Sequence, residues 1–242
     1  MGRYAVIGLG RFGQELVRYL KDRRHEVIAV DRNIRPVEAI KDYADRAVRL
    51  DARHIEALKE QGLERVDCAV VCIADDLEAN ELAVMALREM GVPMVVSRAG
   101  TETQAQILQA IGADVTVVPL AESARAVALR VTLPPQVWAI DIGFDHALVH
   151  LPVPSWVSPF RLESVESKKE GVRVLGVRRP EASGRRLQLR PEPGAEGAGG
   201  DLLILGGPQS ALTEAIWERH QKWQAEEPQT VTPETRSSGD AR

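Results

Sequence analysis

A glycine-rich segment close to the amino terminus has the residue types and spacing of a phosphate-binding loop. The segment GLGRFG, from Gly8 to Gly13, follows a short apolar run and precedes a stretch with helical spacing. In a strand–loop–helix unit, Gly8 permits the tight turn, Gly10 lets a phosphate approach the backbone, and Gly13 lets the helix pack close to the strand. The amide groups and partial positive charge at the helix start then face the phosphate oxygens. The spacing therefore favours a nucleotide-binding loop over a glycine turn without a ligand.

An acidic residue follows at the position where such a unit binds ribose. Asp31 comes directly after the apolar run from Val27 to Val30. A carboxylate at the end of the second strand accepts hydrogen bonds from the ribose hydroxyls. Asp31 therefore favours an adenine nucleotide with a free 2′-hydroxyl, while Arg32 beside it leaves a 2′-phosphate as the alternative.

The arginine inside the loop has two interpretations. Arg11 lies in the first turn of the predicted helix, where the helix dipole disfavours a cation. It is either a solvated surface residue or a cation whose charge is compensated by a bound anion. Because backbone amides already serve a pyrophosphate, the second interpretation indicates a further terminal phosphate, as in ADP or ATP.

Other candidate residues follow the later predicted strands. Sheets of this kind bind ligands at the carboxyl ends of their strands. Asp51 and Ala52 follow the third strand and are predicted to border the adenine. A helix N-cap is an equally good explanation of Asp51 and is compatible with that role. Ala74 and Asp75 follow the fourth strand, and Arg98 follows the fifth, from which it could reach a phosphate.

Alternating strands and helices must position these residues. Six strands alternating with helices predict an α/β fold, a doubly wound, mostly parallel Rossmann-type sheet, over residues 1–134, with Pro134 and Pro135 at the boundary. The apolar runs are residues 4–7, 27–30, 47–50, 68–74, 94–97 and 115–118, and helical spacing occurs at 11–23, after Pro36, and at 55–61, 78–90, 104–111 and 121–133.

A second, smaller domain is predicted over residues 135–223. Strand-like alternation occurs at 137–153, shorter strands at 172–177 and 202–205, and helical spacing at 211–223. The pattern predicts an α+β domain with an exposed sheet face that a partner copy would cover. From Gln224 to Arg242 the chain is polar and charged, which predicts a disordered tail.

Composition excludes several classes of protein. The net charge of −4 and an aromatic content of 4% give no support for binding a nucleic-acid polymer. No apolar stretch approaches the roughly 20 residues that a membrane span needs, and the sequence opens without a signal-peptide pattern. Cys68 and Cys72, four residues apart in one predicted strand, are too distant for a disulfide. A cytoplasmic protein is therefore expected.

The residues that an enzyme would need are missing from the sequence patterns. No Tyr-x-x-x-Lys pair, phosphate-binding Walker lysine or nucleophile elbow is present, and none of the five histidines has a recognisable catalytic setting. The nucleotide is therefore interpreted as a signal and not as a reactant, so the chain is expected not to be an enzyme. The alternative is an NAD-dependent oxidoreductase or a redox-sensing NAD-binding regulator.

Taken as a set, these motifs resemble those of the RCK family. GLGRFG, EVIAVD, RLDA, VVCIADD, SRAG and IGAD resemble the RCK N-terminal (TrkA-N) domain, and GDLLILGG from Gly200 resembles the RCK C-terminal (TrkA-C) domain. One N-domain followed by one C-domain, over roughly residues 1–210, is similar to the regulatory subunits of Ktr-type potassium uptake systems.

This resemblance implies a function. Such subunits assemble from dimers into a ring, typically an octamer, on the cytoplasmic side of a membrane potassium-translocating subunit. They bind ATP, ADP or NAD(H) and gate ion uptake, and some relatives bind cyclic di-AMP at the C-terminal domain. The resemblance thus implies a cytoplasmic protein that is peripheral on the inner face of the membrane.

The resemblance also assigns residues. Arg11 matches an arginine that faces its own copy across a dimer interface and meets a γ-phosphate, and the helix from Ala121 would cross to a neighbouring subunit. A family glutamate that helps hold Mg²⁺ or another cation has no match at Leu120, so the candidate is Glu122. The predicted nucleotide-binding residues are Gly8, Gly10, Arg11, Phe12, Gly13, Asp31, Arg32, Asn33, Asp51, Ala52, Ile73, Ala74, Asp75, Arg98, Ala99 and Gln104.

Overall fold

The structure, a computed structural model, describes residues 1–167, 170–181 and 184–228. The chain divides into two compact units, Met1–Ser123 and Ala124–Arg242. The division falls within a helix, and a domain boundary at residue 134 stays a prediction. Most of the predicted disordered tail, from residue 229 onward, lies outside the described residues, while residues 224 and 225 end the last helix.

The first unit is built on a six-stranded sheet in the order β3-β2-β1-β4-β5-β6, with every neighbouring pair parallel. This order confirms the predicted doubly wound fold. The strands are β1 (Arg3–Ile7), β2 (Glu26–Asp31), β3 (Arg46–Arg49), β4 (Cys68–Val71), β5 (Val95–Arg98) and β6 (Val115–Val117). The helices are α1 (Arg11–Asp22), α2 (Ile34–Ile40), α3 (Ile55–Glu60), α4 (Leu77–Glu89), α5 (Glu102–Ala110) and α6 (Pro119–Val131), with a short 3-10 helix at Leu63–Arg65.

Helices cover both faces of this sheet. One face packs against a cluster that includes Leu58, Leu87 and Leu108, and the other packs against Val17 of α1 and Ile40 of α2. Successive residues of a strand point to opposite faces, so a strand covered on both sides is apolar throughout. β4 shows this directly, since all four of its residues are buried.

The fourth strand is shorter than its apolar run predicts. It ends at Val71, although the run continues to Ala74. The side chain of buried Asn80 on α4 donates a hydrogen bond to the Ile73 carbonyl oxygen at 2.8 Å and another to the Arg98 carbonyl oxygen at 3.0 Å. The Cys72 amide still donates a hydrogen bond to the Ile7 carbonyl oxygen of β1 at 2.6 Å, and beyond it the Ile73 carbonyl is held by the Asn80 side chain.

The second unit contains a five-stranded antiparallel sheet in the order β11-β10-β13-β8-β7. A two-stranded ladder, β12 with β9, and the helix α7 complete it. The elements are β7 (Trp138–Gly143), β8 (His146–Pro152), β9 (Phe160–Arg161), a 3-10 helix (Leu162–Val165), β10 (Arg173–Glu181), β11 (Gly184–Leu189), β12 (Glu196–Gly197), β13 (Leu202–Pro208) and α7 (Gln209–Ala225).

One face of this second sheet is buried and the other is exposed. Val149 and Leu205 pack with Leu212 and Ile216 of α7 in one core cluster. On the opposite face the side chains of β7 at Trp138, Ile140 and Ile142 are 48%, 44% and 52% exposed. The exposed sheet face expected from the sequence is therefore present.

Two features of the second unit differ from the sequence pattern. The alternating run 137–153 forms two strands, because Phe144 and Asp145 adopt the left-handed conformation (φ 53° and 60°) of a two-residue hairpin turn. β11 is an edge strand of mixed polarity without a clear alternation signal, and the sequence did not predict it. Among the described residues, no helix is both long and apolar enough to cross a bilayer.

Candidate functional site

A cavity of about 500 Å³ lies at the carboxyl ends of the parallel strands in the first unit. The turns after β1, β2, β3 and β4 and the last residue of β5 contribute to its wall. Most of the residues predicted from the sequence line it: Gly8, Gly10, Arg11, Phe12, Asp31, Arg32, Asn33, Asp51, Ala52, Ile73, Ala74, Asp75 and Arg98.

The three glycines of the loop have different structural roles. Gly8 has φ +91°, a conformation that favours glycine because it lacks a Cβ. A Cβ on Gly13 would overlap the carbonyl oxygen of Gly8, so the start of α1 and the loop are in close contact. A Cβ on Gly10 would meet nothing within 4 Å, because this residue faces the open cavity. The loop backbone is thus accessible where a phosphate would approach.

Helix α1 begins beside this open space. Its N-cap is Gly10, which has no side chain to accept hydrogen bonds from the first turn. The first backbone N–H groups of an α-helix have no acceptor within the helix, and the helix dipole adds a partial positive charge there. No acidic residue lies in the first turn of α1, so the site favours an anion.

The carboxylate of Asp31 is held in place by the backbone. Its two oxygens accept hydrogen bonds from the Leu9 and Asn33 amides, each at 2.7 Å. A carboxylate has about four acceptor positions, so both oxygens can accept further hydrogen bonds. Asp31 therefore presents a fixed acceptor pair beside the glycine loop, as ribose hydroxyls require.

Arg98 lies over an aromatic ring in the cavity wall. Its guanidinium carbon is 5.9 Å from the centre of the Phe12 ring, within the range of a cation–π contact. Its Nε atom is buried and has no hydrogen-bond partner among the described residues. A buried donor without a partner is costly, so an anionic ligand would fit this position.

Two ion pairs line the cavity. Arg32 Nη1 and Asp76 Oδ2 are 2.8 Å apart, and Arg53 Nη2 and Asp51 Oδ2 are 2.6 Å apart. The hydrogen bond from the Arg53 guanidinium lowers the pKa of Asp51 to about 2. The pKa of Asp76 is also lowered, first by the hydrogen bond from the Ala79 amide and then by that from Arg32.

The structure tests one interpretation of Asp51, that of a helix N-cap. Helix α3 begins at Ile55 and its N-cap residue is His54. Asp51 is therefore not a helix cap, and that interpretation is wrong. Its carboxylate instead accepts hydrogen bonds from the backbone amide and the guanidinium of Arg53.

Four predicted residues do not line the cavity. Gly13 packs beneath the loop, and Ala99 is buried just after β5. The side chain of Gln104 accepts a hydrogen bond from the Gly100 amide at 2.7 Å. The Glu122 carboxylate accepts one from the Val118 amide at 3.2 Å, at the start of α6.

The metal prediction finds no support in this arrangement. The described part of the chain contains no group of three or more His, Cys, Asp or Glu side chains placed to hold a metal ion. Because Glu122 is also absent from the cavity wall, these residues do not fit a protein-bound cation.

Sequence reasoning missed several residues of the cavity. Buried Cys72, whose thiol pKa is raised to about 12 by burial, lines the cavity, although no sequence pattern marks it as a site residue. Both cysteines are unpaired, as predicted. For Asp76 the only sequence signal is its position beside Asp75, directly after the apolar run of the fourth strand. The missed lining residues are Ile7, Pro36, Leu50, Arg53, Cys72, Asp76 and Ala79.

Comparison with known proteins agrees with the motifs and the fold. Residues 4–119 match the TrkA-N domain family. The Ktr system potassium uptake protein A of Vibrio alginolyticus is 31% identical over 215 residues, which cover 88% of this chain and 96% of that protein. The protein of the same name from Bacillus subtilis (strain 168) is 30% identical over 149 residues, covering 62% of this chain and 67% of that one.

A solved structure of the GsuK channel bound to NAD shares the fold. It superimposes with a TM-score of 0.58 over 89% of this chain and 39% of that chain, at 17% identity. The N-terminal match to the TrkA-N domain and the similarity along almost the whole Vibrio protein lead to one conclusion: this chain belongs to the RCK-type family of Ktr potassium uptake regulatory subunits.

Proposed function

We propose that this chain is a nucleotide-binding regulatory subunit of a potassium transporter, in which an adenine nucleotide at the glycine loop controls ion uptake. The observation that carries the proposal is the cavity itself. It collects the start of α1 with no side-chain cap, the backbone-held Asp31 carboxylate and the unpartnered Arg98 Nε around one space of about 500 Å³. Family membership supplies the link to potassium uptake.

Different residues of the cavity wall would bind different parts of the nucleotide. Gly10 and Arg98 would hold phosphates, through an accessible backbone and a partly buried cation. Asp31 would accept the ribose hydroxyls, and Asp51 with Ala52 would border the adenine. Ala99 and Gln104, which lie outside the cavity wall, would act on the nucleotide only through neighbouring residues.

ATP or ADP is the proposed ligand, with NAD(H) as a further candidate. The exposed side chain of Arg11 lies at the first residue of α1 and lines the cavity. An extra terminal phosphate would compensate its charge. If Arg11 faces its own copy in an assembly, a triphosphate neutralises two opposed arginines better than a diphosphate. A ligand shifts a conformational equilibrium only through such differential affinity.

A homo-oligomer belongs to the proposal because apolar surface is left exposed. On α6, Leu120, Val127 and Val131 are 73%, 60% and 73% exposed. In the second unit, the outer sheet face carries Trp138 and Ile140. Exposed apolar patches of this kind mark interaction surfaces. Dimers assembled into an octameric ring would cover them.

The remaining parts of the proposal come from the family alone. The partner would be a membrane potassium-translocating subunit, with this chain on the cytoplasmic face of the membrane. Cyclic di-AMP at the C-terminal domain would be a second ligand. In this proposal the nucleotide is a signal and the chain is not an enzyme.

Native mass spectrometry with and without ATP, together with calorimetry for ATP, ADP and NAD, tests the proposal. We expect nucleotide-bound oligomers, and at least about tenfold weaker binding after Asp31→Ala, because hydrogen bonds to a charged group contribute strongly. Asp42→Ala, which removes an exposed carboxylate outside the cavity, is the matched control.

Two outcomes would contradict the proposal. Lack of affinity for any adenosine phosphate would remove its basis. Turnover of NADH with a substrate, abolished by Asp31→Ala, would instead favour the oxidoreductase alternative.

A further inference from the structure

Arg32 bears on whether the cavity accepts a ribose with a free 2′-hydroxyl or one with a 2′-phosphate. It follows Asp31 directly and lines the cavity at the carboxyl end of β2. An arginine near this position accommodates the 2′-phosphate in sites that bind phosphorylated dinucleotides. Residue type alone would therefore allow a 2′-phosphorylated nucleotide.

The structure shows that the Arg32 guanidinium already has an anionic partner. Its Nη1 donates a hydrogen bond to Oδ2 of Asp76 at 2.8 Å, across 44 residues of sequence. The other oxygen of Asp76, Oδ1, accepts a hydrogen bond from the Ala79 amide at 3.0 Å, as the N-cap of α4. Asp76 is thus held by a helix terminus and is not a freely moving surface carboxylate.

Two neighbouring arginines, Arg53 and Arg49, are engaged as well. Arg53 forms its ion pair with Asp51, and Arg49 Nε donates to the carbonyl oxygen of Arg32 at 3.3 Å. A 2′-phosphate carries close to two negative charges at neutral pH. It would have to displace Asp76 from Arg32 while lying beside the Asp31 carboxylate.

We propose that Asp76 determines nucleotide specificity: by holding Arg32 in an ion pair, it makes the cavity select an unphosphorylated ribose and reject a 2′-phosphate. This inference rests on the proposed function, because it concerns the same nucleotide. Asp76 acts through Arg32 and is therefore a positioning residue.

The variant Asp76→Asn distinguishes a role of Asp76 in nucleotide specificity from a purely structural role. Asparagine is as good an N-cap as aspartate, so the start of α4 is retained while the charge is lost. We expect the affinity for adenosine 2′,5′-bisphosphate, relative to that for 5′-AMP, to rise at least about tenfold, because Arg32 becomes free to bind a phosphate. Calorimetry on the full chain measures both ligands.

The double variant Arg32→Ala with Asp76→Asn is the control. We expect it to return the ratio of the two affinities to the value of the unaltered chain, a change that a purely structural role of Asp76 would not produce. An unchanged ratio in Asp76→Asn, with 5′-AMP still bound, would overturn the inference and leave the proposed function intact. Absence of 5′-AMP binding to the unaltered chain would overturn both.

Discussion

The two units of this chain differ in how many faces of their sheets are covered. In the first unit helices cover both faces, so that every residue of β4 is buried and the ligand cavity forms at the strand ends. In the second unit only one face is covered, and Trp138 and Ile142 remain about half exposed on the other. A sheet covered on both faces completes its own core, whereas the apolar side chains on the open face of the second sheet are of the kind that marks an interaction surface.

The strongest test of the first unit is Gly13→Val. A Cβ at this position overlaps the Gly8 carbonyl oxygen, so we expect a loss of about 1–3 kcal/mol of unfolding free energy and of nucleotide binding. Gly10→Ala is the control, because its Cβ meets open space and stability should change by less than about 0.5 kcal/mol. Thermal unfolding and calorimetry measure both effects, and equal destabilisation by the two variants would contradict the close contact at Gly13.

The matching test of the second unit is Ile140→Lys. A charge on the edge strand β7, within the exposed sheet face, should disrupt assembly while leaving the fold of the unit intact, because Ile140 is already 44% exposed. We expect a smaller sedimentation coefficient with little change in the unfolding transition. Gln221→Lys, on the exposed side of α7, should leave the oligomeric state unchanged. An unaltered sedimentation profile for Ile140→Lys would show that this face is not an interface.

Arg11→Ala tests whether a terminal phosphate reaches the first residue of α1. We expect ATP binding to weaken by about tenfold, more than ADP or NAD binding, because only the triphosphate carries the extra charge. Calorimetry with the three nucleotides measures the difference. Equal losses for all three would rule out a γ-phosphate role.

The smallest expected effect concerns the pH dependence of stability. The Arg53 guanidinium lowers the pKa of Asp51 from 3.8 to about 2, so the folded chain binds this proton less readily than the unfolded chain. The stabilisation of the fold by the Asp51–Arg53 ion pair is therefore present above about pH 4 and is lost as the pH falls toward 2.

Since the pair is partly exposed, the contribution should be about 1 kcal/mol or less. Unfolding of the unaltered chain and of Asp51→Asn, compared between pH 6 and pH 2, measures it. If the difference in unfolding free energy between the two proteins stayed constant across that range, the lowered pKa would not belong to Asp51.

Much of the first unit could be predicted from sequence, because its signals are local. Gly8, Gly10 and Asp31 lie at strand and helix ends that the apolar periodicity already marks, and the structure places all three in the cavity wall. The second unit was less predictable. Its β11 is an edge strand with mixed polarity, and its two-residue turn at Phe144 and Asp145 carries no glycine.

The sequence by itself determined the position and geometry of the loop, since φ preferences and the absence of a Cβ act over a few residues. It also determined the alternation of strands and helices, and with it the edge of the sheet that carries the site. Only the tertiary structure decided the partners of the side chains there. Arg32 meets Asp76, 44 residues away, because β2 and β4 flank β1 in the parallel sheet, so the turns after them lie at the same end of it. Long-range pairing of this kind depends on which strands become neighbours, and no local preference encodes it.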